Sequence, residues 1–527
     1  MSGLEAGRVS RTDPDFVPHS TGPNRLADES NIELIRARMR MLIDQNELVD
    51  GALETHLDNI VGQKGIHDEP DTGWRDLDDQ IRDLTDYAYR RVDVERSRTL
   101  PEDQELFYRE LFGGGESGVH QVMAREFKGY PVMPATELVE ADRLDMNLEG
   151  KAGNNRVRQS IERDRYGRVV AYHVLRANPN DDPLFFSPAT LNSPNVVRVP
   201  VDRFELVFFT RRVAQLRGLP RGVSAMRVLR LDENLTQDTM ILAQIALAFG
   251  ALIETPEGWG DDLFQQGTNE QAFAVDSSGN PVDRIEAGGL GFIPPGSKPH
   301  FSQPQHGGPN FDSTTGVLQR RASRSLRTSS ASLTGDYSKT TFSSARAESL
   351  DIRKFYQRMH QVIWCHHTEP YRRRLIDWAV ATGRIELKVR QRKAIERNPE
   401  RLYKCRVIAP GWSYVNPAQE STANQTDVAN GVRSRIQIIG EQGGNWRQVV
   451  DDEVKFHKYR QERYEEAGLE APPMGASTAP TETKDDNDDG ETPDGARRDT
   501  ENKTSSLTVG TDAGANGHGG PFNGQVA

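Results

Sequence analysis

The sequence predicts a multidomain α+β protein in which helical regions flank a β-rich centre. Apolar residues recur at helical spacing near both ends, whereas a central stretch alternates apolar and polar residues around a turn. A third feature is a segment rich in Gly and Pro inserted between two long helical segments. A chain of 527 residues is long enough for about two to four domains.

The composition excludes several classes of protein. The net charge of -12 argues against a protein that coats itself with nucleic acid, so any contact with DNA should be local. Two cysteines, Cys365 and Cys405, cannot make a disulfide framework, which favours a reducing compartment during synthesis. The longest apolar run, Met240–Ile253, is shorter than the ~20 residues of a spanning helix, so we expect no membrane partner.

The N-terminal region begins with an aperiodic stretch, residues 1–30, that we predict to be a disordered arm. From Asn31 to Val61 the apolar spacing predicts one or two helices, with Asn31 as the N-cap and Gly62 as the stop. These helices open an α/β region that extends to residue 223.

The centre of this region carries the strand pattern. Ile161–Leu175 predicts a hairpin around a turn at Asp164–Gly167, and Val199–Phe209 predicts a further strand. A turn rich in Gly and Pro at Gln215–Gly222 then leads into a long helix, Ser224–Ile253, whose apolar second half must be surrounded by protein.

Residues 254–310 are punctuated by Gly and Pro and predict a small module of short strands and turns. The next helix, Phe311–Thr328, places Leu318, Ala322 and Leu326 on one side. Three arginines lie on its opposite side, namely Arg320, Arg324 and Arg327. The alternative to a functional surface is an ordinary solvated helix face.

The C-terminal half is predicted to be largely helical. A loop rich in Ser and Thr, residues 329–343, precedes a helix over Ser344–Glu369 that Pro370 should end or kink. A last helix, Trp446–Ala467, stops at Gly468. Residues 471–527 are acidic and then rich in Gly, and predict a disordered tail.

No catalytic, metal or cofactor site is predicted. The sequence has no G-x-x-x-x-G-K-[ST] loop, no G-x-S-x-G elbow and no H-E-x-x-H helix. Gly113, Gly115 and Gly118 match G-x-G-x-x-G as letters, but they follow a predicted helix and favour a plain loop. The adjacent Cys365-His366-His367 would point in different directions on a helix and cannot converge on zinc.

The segment after the cationic helix resembles a known family. Gly335-Asp-Tyr-Ser-Lys-Thr-Thr-Phe-Ser-Ser-Ala-Arg-Ala-Glu348 resembles lambda-type portal proteins of tailed bacteriophages, which commonly carry Asn-Tyr in place of Thr341-Phe342. Other matches follow in the family's order: Asn59-Ile-Val-Gly62, Glu140-Ala-Asp-Arg-Leu144, the hairpin Asp164–Val174, Leu216-Arg-Gly-Leu-Pro220, Asn416-Pro-Ala-Gln-Glu420 and Gly431-Val-Arg-Ser434. Together they cover the chain from about Asn31 to Gly468.

The resemblance implies a portal fold that assembles into a dodecameric ring. Its parts would be a wing (31–223), two stem helices (224–253 and 311–328), a clip (254–310), a tunnel loop (329–343), a kinked wing helix that returns to the wing (344–415) and a helical crown-like region (416–470). Such a ring is the channel at one capsid vertex through which a separate terminase packages double-stranded DNA, and it connects the head to the neck and tail.

The resemblance also implies which residues face DNA and partners. The channel and tunnel-loop candidates are Arg320, Arg324, Arg327, Ser329, Ser330, Ser332, Thr334, Asp336, Tyr337, Ser338, Lys339 and Thr340. Hydroxyls with sparse charge would contact phosphates without gripping them. The clip candidates for contact with terminase or neck are Glu257, Trp259, Asp261, Asp262 and Phe264.

The implied partners are further copies of the chain, double-stranded DNA held transiently, the terminase large subunit, the major capsid protein or scaffold, and neck proteins. The implied location is the virion, after assembly in the host bacterial cytoplasm. One alternative is a packaging motor or nuclease, which would need a phosphate loop or clustered metal-binding carboxylates. Another is a different ring-forming head-tail connector, for which a clip-like insertion between two helices is not expected.

Overall fold

A computed structural model of the chain describes residues 22–24, 31–181, 190–254, 289–293, 311–338, 340–413 and 417–469. These residues form a mixed arrangement of helices and sheets, as predicted. The chain divides into two compact units, Met1–Lys455 and Phe456–Ala527. Most of the predicted N-terminal arm, most of the clip and all of the predicted tail lie outside the described residues.

Two helices open the first unit and confirm the predicted helical segment. They are α1 (Ile32–Gln45) and α2 (Glu47–Ile60). Asn31 and Asn46 cap them, because each side-chain oxygen accepts a hydrogen bond from a backbone N–H in the following first turn. Gly62 follows α2 with φ +56°, a left-handed conformation that glycine adopts without strain.

The glycine-rich segment near residue 115 joins a helix to a strand. The chain runs through β1 (His67–Pro70), α3 (Arg75–Ala88), α4 (Leu100–Gly113), β2 (Glu116–Ala124) and β3 (Met133–Glu140). Gly113 is the last residue of α4 and Gly118 lies within β2. A dinucleotide motif requires the opposite order, strand then helix, and the three glycines lie at a helix end, in a turn and in a strand, not in the single loop that was predicted.

Two antiparallel sheets form the centre of the unit. The first is a five-stranded sheet of β4 (Gly150–Ala152), β5 (Asn155–Arg158), β6 (Ile161–Arg163), β7 (Val169–Leu175) and β8 (Val196–Pro200), in that order. The second has the order β3-β2-β9, with β9 spanning Phe204–Phe208. The hairpin β6-β7 is therefore confirmed.

The strand predicted over Val199–Phe209 is wrong, because this segment contributes to two different sheets. A turn separates β8 from β9, and in it the Arg203 N–H donates to the Pro200 carbonyl at 3.0 Å. The two halves of one apolar run thus serve separate sheets.

The first predicted stem helix is shorter than expected. After a 3-10 turn at Arg221–Ser224, α5 spans Met226–Ala248, and β10 (Phe249–Glu254) continues the chain to pair in parallel with β11 (Gly289–Ile293). The prediction of helix to Ile253 was wrong because a short apolar run fits a strand as well as a helix. The second predicted stem helix, α6 (Phe311–Leu326), agrees closely with its prediction.

The predicted Ser/Thr loop contains a short helix, α7 (Ser330–Thr334), before α8 (Phe342–Ile363) begins. The α-helix that was expected to end or kink at Pro370 ends shortly before it, at Ile363. A π-helical turn at Trp364–Thr368 connects α8 to α9 (Glu369–Ala381), where Pro370 lies in the first turn and needs no N–H partner.

The remaining elements are mostly helical, as predicted. They are α10 (Val389–Arg397), α11 (Glu400–Tyr403), β12 (Cys405–Ile408), which pairs with β1, and then α12 (Pro417–Ala429), α13 (Arg435–Glu441) and α14 (Trp446–Glu466). Gly468 follows α14 with φ +67°. In the part of the chain described, no helix is long and apolar enough to cross a membrane.

The largest hydrophobic core joins α1, α2, α4, α6 and α8. Its fully buried members include Met39, Leu53, Phe107, Leu326 and Met359. A smaller core lies between the two sheets around Tyr172 and Phe204, whose rings are 4.8 Å apart. The end of α6 is therefore anchored in the main core.

A buried carboxylate links α1, β2 and the turn before α5. Glu116 lies with Arg36 on one side and Arg217 on the other, and these side chains are 0–1% exposed. The Arg36 Nη2 and Glu116 Oε1 atoms are 2.5 Å apart, and the Gly218 N–H donates to Glu116 Oε2 at 2.7 Å. Burial raises the pKa of Glu116, but the charges of Arg217 and Arg36 outweigh it, and the pKa lies below its ordinary value.

Two glycines allow these segments to approach. A Cβ at Gly218 would lie 2.1 Å from the Gly115 carbonyl oxygen, and a Cβ at Gly115 would lie 2.3 Å from the Leu219 carbonyl carbon. Gly115 also has φ +83°. Backbone contact at this point is possible only without side chains, and it brings the Glu116 carboxylate against Arg217.

We predict that Glu116→Gln destabilises the chain by about 3–5 kcal/mol, because two buried guanidinium groups would lose their shared counterion. Urea unfolding at neutral pH measures the change. Glu54→Gln is the matched control, since Glu54 pairs with Arg109 at the surface and its loss should cost at most about 1 kcal/mol. Equal losses of stability in the two variants would show that the buried network stabilises the chain no more than a surface ion pair does.

Candidate nucleic-acid interface

Helix α6 is held against α5 and the core by its apolar side. Ala322 and Leu326 are buried and Leu318 is half-buried, as the helical period predicts. The Gln319 amide donates to Asp232 of α5 at 3.3 Å, and the Ser224 and Ser325 hydroxyls are 2.5 Å apart. These contacts fix which side of α6 faces outward.

The outward side carries the predicted arginines. Arg320, Arg324 and Arg327 are all exposed, which confirms the predicted cationic face. Arg324 lies 3.4 Å from Asp351 of α8, but the two side chains are 76% and 60% exposed. An ion pair this exposed contributes little and leaves the face cationic.

The turn that ends α6 is unusual. Arg327 has φ +63°, a left-handed conformation that costs a non-glycine residue roughly 1–2 kcal/mol. Its carbonyl oxygen lies 3.3 Å from the buried His56 Nε2 of α2. His56 therefore holds the backbone of the turn between the cationic helix and the tunnel-loop segment.

The hydrogen bonds of His56 fix its tautomer. A carbonyl oxygen can only accept, so Nε2 carries the proton and donates to Arg327, and Nδ1 accepts from the Tyr108 hydroxyl at 2.9 Å. Burial lowers the pKa of His56 to about 4, although the bond to Arg327 raises it. The ring is neutral at physiological pH.

Several polar groups of the predicted tunnel loop form hydrogen bonds within the chain. Ser329 caps α7 by accepting from the Ser332 N–H at 2.8 Å, and the Thr334 hydroxyl donates to the Ser330 carbonyl at 2.9 Å. The Ser330 N–H donates to Glu348 of α8 at 3.1 Å. Part of the predicted loop is therefore a short capped helix, because Ser and Thr side chains bond readily to nearby backbone groups.

The tip of the segment is more open. Both the N–H and the hydroxyl of Ser338 donate to Asp336, and Tyr337 between them is 62% exposed. The Thr340 N–H donates to the Tyr337 carbonyl at 3.1 Å, which closes a turn. Lys339 and the clip candidates lie outside the described residues, namely Glu257, Trp259, Asp261, Asp262 and Phe264.

The departure from the family motif at Thr341 preserves its structural role. Thr341 is the N-cap of α8, and its side chain accepts from the Ser344 N–H at 3.3 Å. Asn, which family members commonly carry there, is an equally suitable cap residue. The substitution leaves the start of α8 intact.

Three arginines near this surface were missed by sequence reasoning. Arg221 and Arg358 lie over the ring of Phe355, and the charges of Arg211, Arg327 and Arg358 all act on Arg221. Arg221 was visible between Pro220 and Gly222, within a segment interpreted only as a turn. No linear pattern indicates that Phe209 and Phe355 enclose its guanidinium group.

The histidines beside Cys365 do not converge, as predicted. His366 Nδ1 lies 2.6 Å from Glu205, whereas His367 Nε2 lies 2.9 Å from the buried Asp103. Across the described residues, no group of three or more His, Cys, Asp or Glu side chains is placed to hold a metal ion. What the described surface presents is a row of arginines on a rigid helix.

The described residues thus form a mixed fold of helices and sheets that carries an exposed cationic helix. The model of the family described as phage portal protein, lambda family, matches residues 10–360. The chain therefore belongs to the lambda family of phage portal proteins.

Two individual proteins are similar to the chain. A probable portal protein of Halomonas phage phiHAP-1 is 25% identical over 351 residues, which cover 64% of this chain and 63% of that relative. A chain from the neck of a native GTA particle, computed with C12 symmetry, is 11% identical with a TM-score of 0.37, over 77% of this chain and 92% of that chain. No conclusion about fold or assembly rests on a likeness this weak.

We predict that His56→Gln removes a pH-dependent component of stability. The unfolded chain protonates its histidine near pH 6.5 and the folded chain only near pH 4, so the contribution is complete above pH 6.5 and is lost as the pH falls toward 4. The full difference is roughly 3 kcal/mol. Gln can donate to Arg327 and accept from Tyr108 without titrating.

The measurement is the free energy of unfolding in urea above pH 6.5 and near pH 4. Acidification should lower the free energy of unfolding less in His56→Gln than in the unaltered chain. His457→Gln, at an exposed position of α14, should leave the loss unchanged. An unchanged loss in both variants would contradict the role given to His56.

Proposed function

We propose that this chain is the subunit of a phage portal ring, a homododecamer at one capsid vertex. Double-stranded DNA passes through the ring when a separate terminase packages it and when it is ejected, and the ring connects the head to the neck and tail. The chain itself catalyses nothing. It is assembled in the host bacterial cytoplasm and resides in the virion.

The observation that carries this proposal is the family match over residues 10–360. The matched region runs through the wing, both stem helices, the clip and the tunnel-loop segment as the sequence delimits them. The partners follow from the same family: further copies of the chain, DNA, the terminase large subunit, the major capsid protein or scaffold, and neck proteins. Residues 254–310 are the proposed contact for terminase and neck.

Exposed apolar side chains on the two stem helices support assembly. Leu231, Met240 and Ile241 of α5 and Val317 of α6 are 47–61% exposed in the single chain. Apolar groups on neighbouring long helices favour burial against other subunits, and a cyclic ring buries them on every copy.

The arginines of α6 support a weak, sequence-independent contact with DNA. They lie on or directly after a helix that is fixed by the core, and Asp351, which among the described residues pairs with Arg324, is itself exposed. A few cations on an otherwise acidic chain attract the phosphate backbone locally without holding it tightly. Sliding through a channel requires contacts of this kind.

We predict that the purified full-length chain forms twelvefold rings with a central channel in electron-microscopic class averages. Ile241→Glu should reduce ring formation strongly, since a buried unpaired charge at a subunit contact is costly. Val213→Glu is the control, because Val213 is 92% exposed and lies outside the stem helices. A stable monomer or dimer of the unaltered chain at every salt and protein concentration would contradict the ring.

The same preparation tests the enzyme alternative. If the pure chain hydrolyses ATP or cleaves DNA and forms no rings, a packaging enzyme is favoured over a portal.

We predict that Arg320→Gln with Arg324→Gln weakens binding of short duplex DNA equally for all sequences. The dependence of log affinity on log salt concentration should become shallower by about 2 for each engaged subunit. Arg165→Gln with Arg168→Gln removes the same charge from the exposed β6-β7 hairpin turn and should change neither quantity. An equal loss in the control pair would mean that the effect is one of net charge alone.

A further inference from the structure

Arg221 is a half-buried cation that no carboxylate in the described part of the chain neutralises. Its Cζ atom lies 4.5 Å from the centre of the Phe355 ring and 4.8 Å from that of Phe209, so aromatic rings fix the guanidinium group. Among the residues that the structure describes, no carboxylate reaches it within ion-pair distance and no acceptor bonds its N–H groups. The nearby Arg217, by contrast, is paired with Glu116.

Three further arginines surround Arg221, and we call the four the arginine cluster: Arg211, Arg221, Arg327 and Arg358. The Arg358 Cζ atom lies 5.7 Å from the same Phe355 ring. Arg211 donates to the carbonyl of Pro220, directly before Arg221, at 3.3 Å. Arg327 is held by His56, whose ring centre is 5.4 Å from that of Phe355.

The cluster is electrostatically unfavourable as it stands. Burial lowers the pKa of Arg221 to about 10, the charges of Arg358, Arg327 and Arg211 lower it as well, and Tyr108 opposes them. All four guanidinium groups still carry their charge at neutral pH. An anion placed among them would relieve both the repulsion and the missing hydrogen bonds.

We propose that the arginine cluster binds a phosphate group of the DNA backbone. A planar guanidinium group presents paired N–H donors that match two phosphate oxygens, and stacking between rings orients it in advance. Arg327 directly follows the last residue of α6, so the cluster begins where the helix that carries Arg320 and Arg324 ends. This inference rests on the proposed function and adds a built phosphate site to a surface of loose contacts.

The test uses the full-length chain and two probes, inorganic tripolyphosphate and a short DNA duplex. Arg221→Met keeps an apolar side chain between Phe209 and Phe355 but removes the charge. The dissociation constant for each probe should rise about tenfold or more, as expected for a lost charge-assisted hydrogen bond. Arg168→Met, at an exposed position, should leave both constants unchanged.

A second variant separates binding from folding. Arg358→Gln changes an exposed side chain of the cluster. It should weaken the binding of both probes without altering the thermal unfolding temperature in phosphate-free buffer. Arg221→Met should unfold in that buffer at a temperature no lower than the unaltered chain, because it removes an uncompensated charge. A large loss of stability on removing the charge would assign Arg221 a structural role and overturn the proposal.

The outcomes distinguish the two hypotheses. If the cluster variants form intact rings but bind neither tripolyphosphate nor duplex DNA, the result supports a site for the DNA backbone. Loss of tripolyphosphate binding alone overturns the assignment to DNA and leaves a site for free phosphates. Unchanged affinity for both probes in intact rings overturns the cluster while the portal function stands, whereas failure to form rings removes the portal function itself. Equal displacement of the probes by polyglutamate would overturn selectivity for phosphate.

Discussion

The buried carboxylate of Glu116 is the interaction on which the placement of the exposed arginines depends. It receives Arg36 from α1 and Arg217 from the turn before α5, while the Gly218 N–H bonds its second oxygen. The position of that turn sets where Arg221 emerges and where α5 begins. A charge of this kind is stable in a protein interior only because every oxygen has a donor. The cationic residues outside are therefore placed by an ion network inside.

A second interaction fixes the end of α6. His56, neutral in the main core, bonds the carbonyl of Arg327 in its left-handed turn, so the end of the cationic helix is fixed from within. Beyond it, the Ser329 hydroxyl caps α7 and the Thr334 hydroxyl bonds a backbone carbonyl. The groups that the described surface offers to an anion are arginine side chains, with Tyr337 as an exposed ring at the tip.

Sequence periodicity predicted those elements whose pattern is local. The helical spacing of Asn31–Val61 and of α6, the turn at Asp164–Gly167 and the stop at Gly468 each depend on neighbouring residues only. The end of α5 and the division of Val199–Phe209 could not be predicted in this way, because strand partners decide them. The arginine cluster was missed for the same reason, since Phe209, Arg221 and Phe355 meet only in the folded chain.

The spacing of the Glu116 network along the chain has a consequence for biosynthesis. Arg36 and Glu116 leave the ribosome early, but Arg217 follows Glu116 by 101 residues. At ordinary translation rates this is a delay of roughly 5–20 seconds. During that interval the carboxylate has one of its two guanidinium partners and the glycine contact between Gly115 and Gly218 does not exist. The N-terminal half of the chain therefore cannot reach its final packing as an independent nascent domain, and its folding is completed only when the segment leading into α5 has been made.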